Sequence, residues 1–400
     1  MKRLSLIFLA ASALVASASP LTVTVKNPLK ADRRSVPVVV DLAKYAPGRE
    51  VTTARATVKG VEIPVQIDDL DADGRADEIA LLVDVPSKGK TVVSLDLDAA
   101  PKDSVVPLTH AYLKMRDEPK KHPNLVSIAY PGDVNTKQMY NSIYGHGSVI
   151  EGLWNAVRIY MDNRQSLDLY VKQTPRLELE TTGFYTTQDQ LAQGYGRDVL
   201  WAGKSVGAGS FRGYQKGEPA TIDTVAIRGQ RVVADGPVRS IIEVSDRGWV
   251  YNGKRRDMTQ LYTLWGNHRD YQVDISISET FPGDVYATGI QKLETENVGF
   301  VRPDGLAGSW GSNVPEKKHP ELVDTVGLGL YADAANRASV LEDDVNYLTI
   351  LRPDADGHIR YWVNLCGTRE DGGYETSEAW FSDLARWQKE LQTPCLVEIK

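Results

Sequence analysis

Cysteine is almost missing from this chain of 400 residues, which has only Cys366 and Cys395. Two thiols cannot build a disulfide framework or a cysteine metal centre, although an oxidising compartment would let these two pair. No basic run is present either. With a formal net charge of −7, nucleic acid is not expected as a partner, because phosphate binding needs a concentrated cationic face. The chain has no G-x-S-x-G elbow, no H-E-x-x-H pair and no phosphate-loop or dinucleotide glycine pattern, so serine hydrolase, zinc peptidase and nucleotide chemistry lack their usual residues. Long apolar runs are confined to the start. Leu4 to Val15 is too short to span a bilayer; with Lys2 and Arg3 before it and Ala16-Ser17-Ala18 after it, residues 1–18 read as a secretory signal peptide. The mature chain is then expected to begin near Ser19, to be periplasmic or secreted, and to have no membrane partner after cleavage.

What is present alternates. "LTVTV", "VPVVVDL", "ARATVKGVEIPVQI", "EIALLVDV" and "TVVSLDL" are short apolar runs broken by Pro, Gly and Asp, which predicts a small β-sandwich over residues 19–105. "DAAPKDSVVP" is the candidate linker. Residues 106–400 read as a large antiparallel β domain with longer strands. In "SLDLYVK", Leu167, Leu169 and Val171 share one face and Asp168 and Tyr170 the other. Asn252-Gly253 tolerates positive φ at both turn centres and marks a hairpin tip. A helix is expected only near the end, where Thr376 or Ser377 can cap "EAWFSDLARWQKEL" and Trp380, Leu384, Trp387 and Leu391 fall at helical spacing.

Three constellations could carry chemistry. Asp69, Asp71, Asp73 and Asp77 around Gly74 reproduce the opening of a calcium loop, but position twelve is Ala80, which rules out an EF-hand. A looser calcium site, the one cofactor the sequence suggests, competes here with an Asp-Gly turn whose carboxylates bond their own backbone. In "AVRIYMD" the alternation sets Val157, Ile159 and Met161 on one face and Arg158, Tyr160 and Asp162 on the other, with His146 and Glu151 upstream, Trp154 between them and the strand, and Arg164 just beyond. A cation, a phenol, an imidazole and a carboxylate beside an aromatic ring are the makings of a binding cleft, although a single Arg or Asp on a strand is more often a cross-strand ion pair. The third is the glycine-dense stretch "GYGRDVLWAGKSVGAGSFRG", with Asp198, Trp201 and Lys204, followed later by His268 and Arg269 in "LWGNHRDYQ". Glycines so dense in a β protein predict a loop packed closely on a strand or a ligand.

The blocks "IPVQIDDLDADGRADEI", "HGSVIEGLWNAVRIYMDNRQSLDLYVK", "GRDVLWAGKSVGAGSF" and "YWVNLCGTREDGGYETSEAWFSDL", in that order, resemble a large family known as domain of unknown function 4861, common in Bacteroidota. The resemblance covers most of the mature chain. It implies an exported protein encoded near polysaccharide-degrading enzymes, and an all-β architecture in which a small N-terminal β-sandwich precedes a galactose-mutarotase-like β-supersandwich with a peripheral C-terminal helix. The chain keeps Glu151 but has Trp154-Asn155 where a second acid is expected, so the resemblance carries a substrate class and not a mechanism.

Three functions follow. A uronate-directed polysaccharide lyase would use Arg158 or calcium against the uronate carboxylate, and His146 or Tyr160 to move the proton. A glycoside hydrolase or sugar mutarotase would pair His146 or His268 with Glu151. A non-catalytic glycan-binding protein would stack sugars on Trp154, Trp201 and Trp265, with Asp162, Arg164, Lys204 and Arg269 orienting them. The residue types favour the lyase by a small margin, with a plant or algal polysaccharide or its oligosaccharides as the partner.

Overall fold

The computed structural model describes residues 20–117, 122–132, 141–315 and 323–400. The expected signal peptide, residues 1–18, lies outside the described residues. The all-β class predicted from alternation is the one observed.

Strict alternation in the first strands builds the small sandwich. Val23 and Val25 of strand Leu21–Lys26, Val36, Val38 and Val40 of strand Arg33–Asp41, and Ile79, Leu81 and Val83 of strand Glu78–Val85 point into one core. Each such side chain contributes about 1.5–3 kcal/mol when fully buried. A three-stranded sheet, with Glu78–Val85 at its centre, faces a five-stranded sheet whose outermost strand is Leu396–Ile399, paired antiparallel with Leu21–Lys26.

The remaining strands form a supersandwich. A nine-stranded antiparallel sheet contributes Ile242, Tyr262, Val273, Leu328 and Val363 to a single core. Two five-stranded sheets close it, one through Ile150, Val157 and Leu169, the other through Tyr286, Ile290 and Leu351. The hairpin predicted at Asn252-Gly253 joins Arg239–Tyr251 to Lys254–Trp265, with φ of 50° and 71° at the two turn residues. The predicted helix spans Ser377–Gln392 and is capped by Thr376, whose hydroxyl accepts from the Ala379 amide. It lays Trp380, Leu384 and Trp387 against the nine-stranded sheet. Among the described residues no helix is long and apolar enough to cross a membrane.

The small sandwich is fixed to the large sheets by buried polar contacts. The Gln66 carboxamide accepts from the amides of Val238 and Arg239 and donates to the Arg239 carbonyl, and the Arg239 guanidinium pairs with Asp68 at 2.7 Å and Glu78 at 2.6 Å. Satisfying every one of these groups fixes a single docking geometry. The two cysteines do not pair. Cys366 is buried under the C-terminal helix, while Cys395 packs against the core of the small sandwich.

Candidate functional site

The stretch that mixes apolar and charged residues folds into the centre of one five-stranded sheet. Its strands run, in spatial order, Arg197–Asp198, Leu167–Val171, Asn155–Tyr160, Gly147–Gly152 and Thr109–Tyr112. Successive side chains take opposite faces. Ile150, Val157, Ile159, Leu167 and Leu169 go inward to the main core, and the register then places His110 opposite Glu151, Arg158 opposite Asp168, and Tyr170 opposite Asp198 on the outer face.

That outer face does not meet water directly, because residues 172–196 fold back over it as two short helices, Leu179–Thr182 and Gln188–Ala192, with their connections. Leu179 and Phe184 of this cover pack on Tyr112, Val149, Ala156 and Tyr170 in a small second core. The strand Leu167–Val171 is therefore buried on both faces. Polar groups under such a cover must be paired or hydrogen-bonded.

Arg158 shows how. Its guanidinium pairs with Asp168 across the strands, lies 3.3 Å from Asp198, and donates to the hydroxyls of Tyr160 and Tyr185 at 3.1 Å each. It also stacks 4.3 Å from the Phe184 ring centre. Burial works against its charge, but the carboxylates of Asp168 and Asp198 outweigh that and hold it protonated. The Tyr160 hydroxyl in turn donates to Asp168 at 2.6 Å, and the His146 ring stacks on the Tyr160 ring. His146 ends the turn Tyr144–His146 with φ of 68°, a left-handed conformation uncommon outside glycine that recurs at functional sites.

These groups form the floor of a cleft enclosing about 360 Å³. Tyr185 and Trp201, 47% and 46% exposed, stand on its walls. Trp201 is held there by its amide, which donates to the Asn313 side chain. The glycine-dense stretch around it packs on strands: a Cβ at Gly196 would lie 2.0 Å from the Val171 carbonyl oxygen, and Gly209, at φ of 92°, runs against Val363.

Of the predicted site residues, the structure brings His146, Arg158, Tyr160 and Trp201 into this cleft. It places the others elsewhere. Glu151 is buried with Lys172, whose ammonium lies 2.5 Å from it, and also accepts from the Glu178 and Leu179 amides, so it anchors the start of the cover and faces no cleft solvent. His268 sits between Asp270, at 3.0 Å, and the Ser35 carbonyl, joining the small sandwich to the large sheets. Arg269 stacks 4.0 Å over Trp154 and pairs with Glu370, bordering the same junction. Asp162 falls in the turn after its strand, where it accepts from the Arg164 and Gln165 amides and pairs with the Arg164 side chain. Lys204 is exposed and does not line the cleft.

The cleft also holds residues absent from the predicted set. Asp168 was legible in part: alternation puts it on the polar face of its strand with Tyr170, and the hairpin, centred on Asn163, sets it opposite Arg158. Phe184, Tyr185 and Asp198 come from the cover and the edge strand, whose positions no local pattern reveals. In the acidic loop, one carboxylate oxygen each from Asp69, Asp71 and Asp77 lie within 4.8 Å of one another, without Asp73. Asp69 meanwhile accepts from the Asp73 and Gly74 amides, and Asp73 from the Arg75 amide.

No curated protein matches the chain. Among solved structures it is similar to a glycosyl hydrolase family 38 protein from Enterococcus faecalis, at 10% identity and a TM-score of 0.48 over 95% of this chain and 47% of that one. It is similar also to an alpha-mannosidase from Enterococcus faecalis V583, at 11% identity and a TM-score of 0.48 over 95% of this chain and 46% of that one. The chain thus spans about half the length of these two. A third, from Klebsiella pneumoniae and provisionally assigned as an aldose 1-epimerase, is 7% identical with a TM-score of 0.33, over 70% of this chain and 96% of that one. Residues 25–397 match the family described as Domain of unknown function (DUF4861), and the chain belongs to that family.

Proposed function

We propose that the protein is an exported carbohydrate-active enzyme whose cleft moves protons on a bound glycan, acting as a uronate-directed polysaccharide lyase. The observation that carries this reading is the Tyr160 hydroxyl, which stands at the cleft floor beneath His146 with Asp168 at 2.6 Å and the Arg158 guanidinium at 3.1 Å. Negative charge forming on that oxygen is met by a fixed cation. In a lyase step the Tyr160 hydroxyl passes its proton to Asp168, the resulting phenolate takes the proton from the carbon next to the uronate carboxyl, the neighbouring carbon–oxygen glycosidic bond breaks as a carbon–carbon double bond forms, the phenol gives that proton to the leaving oxygen, and Asp168 then reprotonates Tyr160. Arg158 does not serve as the uronate clamp expected from the sequence, because Asp168 and Asp198 already occupy its fork. In this reading His146 meets the substrate carboxylate.

Trp201 and Tyr185 line the cleft with nearly half of their surface exposed, and aromatic surface there favours a glycan ligand and serves a purely binding protein equally well. The hydrolase pairing of histidine with Glu151 loses support, since Glu151 is committed to Lys172. The test is to expose the mature protein to uronate-bearing and neutral glycans, following ultraviolet absorbance for unsaturated products and reducing ends for hydrolysis. Unsaturated product from a uronate glycan is the expected result. Reducing ends without absorbance would replace the lyase by a hydrolase, and binding with neither signal would leave a glycan-binding protein.

A further inference from the structure

At the opposite end of the cover from the cleft, His110 holds both ring nitrogens against carboxylates. Nδ1 lies 3.1 Å from each oxygen of Asp235, and Nε2 lies 3.0 Å from Glu180. A neutral imidazole carries one N–H, so in that form one nitrogen would turn a lone pair toward a carboxylate; only the imidazolium donates on both sides. These contacts join three elements: the edge strand Thr109–Tyr112 with His110, the end of strand Ile227–Asp235, and the short helix Leu179–Thr182 with Glu180. Immediately downstream of that helix, Phe184 and Tyr185 cover Arg158 and wall the cleft.

We propose that His110 is a positioning residue whose protonation latches the cover onto the site sheet, so that the placement of the Phe184–Tyr185 wall depends on pH. The latch itself stands apart from the reading of the cleft as a lyase site; only its effect on turnover rests on that reading.

The charged and titratable neighbours of His110 are Asp235, Glu180, Glu151 opposite it on strand Gly147–Gly152, Lys114, whose ammonium donates to Glu180 at 2.8 Å, and Tyr112, whose ring centre is 5.8 Å away. The hydrogen bond that the ring donates to Asp235 is the largest influence and raises the imidazole above its ordinary value; burial opposes it, and the charges of Asp235 and Glu151 and the hydrogen bond to Glu180 add to the rise. A raised histidine is charged below its ordinary range and loses its proton as pH climbs through the raised value. The neutral ring keeps the proton on Nδ1 toward Asp235, which the Ala111 amide also holds at 2.8 Å. The lone pair of Nε2 then faces Glu180, and the helix retains Lys114 as its tie to this strand and the residues after it.

Amide hydrogen exchange of the peptide spanning residues 179–186 tests the latch. It is measured from pH 5 to 9, corrected for intrinsic exchange, on the parent, His110→Ala and Glu180→Gln. In the parent, protection should fall by about tenfold above the ordinary imidazole range, as loss of a charge-assisted hydrogen bond implies. His110→Ala should show the low protection at every pH. Glu180→Gln should lose the step, because its amide can donate to a neutral imidazole. Flat protection in the parent, or an unchanged step in His110→Ala, overturns the proposal. Exchange needs no glycan, so failure to find turnover would sink the lyase and leave the latch standing.

Discussion

Lys172 and Glu151 meet at 2.5 Å on neighbouring layers of the site, each with 1% of its side chain exposed. The ammonium also donates to the carbonyls of Gly152 and Arg176 at 2.6 Å each, so all three of its protons are used. Burial lowers the lysine from its ordinary value while Glu151 holds it up. This pair is the hinge pin of the cover, since Glu151 takes the two amides that begin helix Leu179–Thr182.

Removing one side of such a pair strands the other charge in a dry site. Lys172→Met is expected to cost about 3–5 kcal/mol by denaturant unfolding, whereas Lys172→Met combined with Glu151→Gln should recover part of that loss. A cost under about 1 kcal/mol for the single variant would mean water reaches the pair.

The same logic separates the residues of the cleft. Arg158→Ala leaves Asp168 unpaired beneath the cover, and its expected cost of about 3–5 kcal/mol makes it a poor probe of chemistry. Tyr160→Phe and His146→Ala leave that pair intact. Each should lower turnover on the glycan that the panel identifies by about 100-fold or more, with a melting temperature close to the parent's. Unchanged turnover in both would remove proton transfer from these residues.

Trp201→Ala is expected to weaken glycan binding by about 1–2 kcal/mol in calorimetry, the scale of one lost aromatic platform, while stability stays within about 0.5 kcal/mol of the parent because the ring is half exposed. Affinity equal to the parent's would place the sugar elsewhere.

His268 and Asp270 bracket a pH window for the junction between the small sandwich and the large sheets. Burial opposes the charge on each. The Asp270 hydrogen bond and charge nonetheless raise His268 above its ordinary value, and His268 together with the Trp387 indole brings Asp270 below the usual aspartate range. A raised histidine contributes stability that is lost as pH rises through its folded value, and a lowered aspartate contributes stability that is lost as pH falls through its own. The stability gap between the parent and Asp270→Asn should therefore be widest from mildly acidic pH to the ordinary imidazole value and should narrow on either side. A gap independent of pH from 4 to 9 would contradict the pairing.

For the acidic loop we propose weak calcium binding at Asp69, Asp71 and Asp77. Free calcium at ten times its Kd should stabilise the fold by about 1.4 kcal/mol through mass action, and Asp71→Ala should abolish the gain. No calcium effect on the parent would leave a turn that satisfies itself through the Asp73, Gly74 and Leu70 amides.

Much of this was legible in the sequence, because period-two alternation is enforced wherever one strand face is buried. The small sandwich, the Asn252-Gly253 hairpin and the Thr376 cap all follow from local chemistry, and so does the face shared by Arg158 and Tyr160. The site was legible only in part. Glu151 and His268 look like acid and base by type, and nothing local tells that Lys172 and Asp270 consume them. Phe184 and Tyr185 lie on a cover whose position depends on long-range anchoring, to which alternation is blind. Tyr170 and Asp168 read as a solvent face because a strand pattern records two sides but not what lies over them.

The strand Leu396–Ile399 completes the sheet begun by Leu21–Lys26, with Lys26 and Glu398 paired at 2.6 Å across 372 positions of sequence. Closing so long a loop is entropically costly, and the cost must be met before the contact gives anything back. During synthesis the small sandwich must wait, with one edge of its sheet open, until the supersandwich has been made and has carried the C-terminal helix back to it. An open edge is a template for pairing with another chain. The small sandwich is thus finished only when Leu396–Ile399 arrives, and the interval before that is when its open edge most exposes the protein to aggregation.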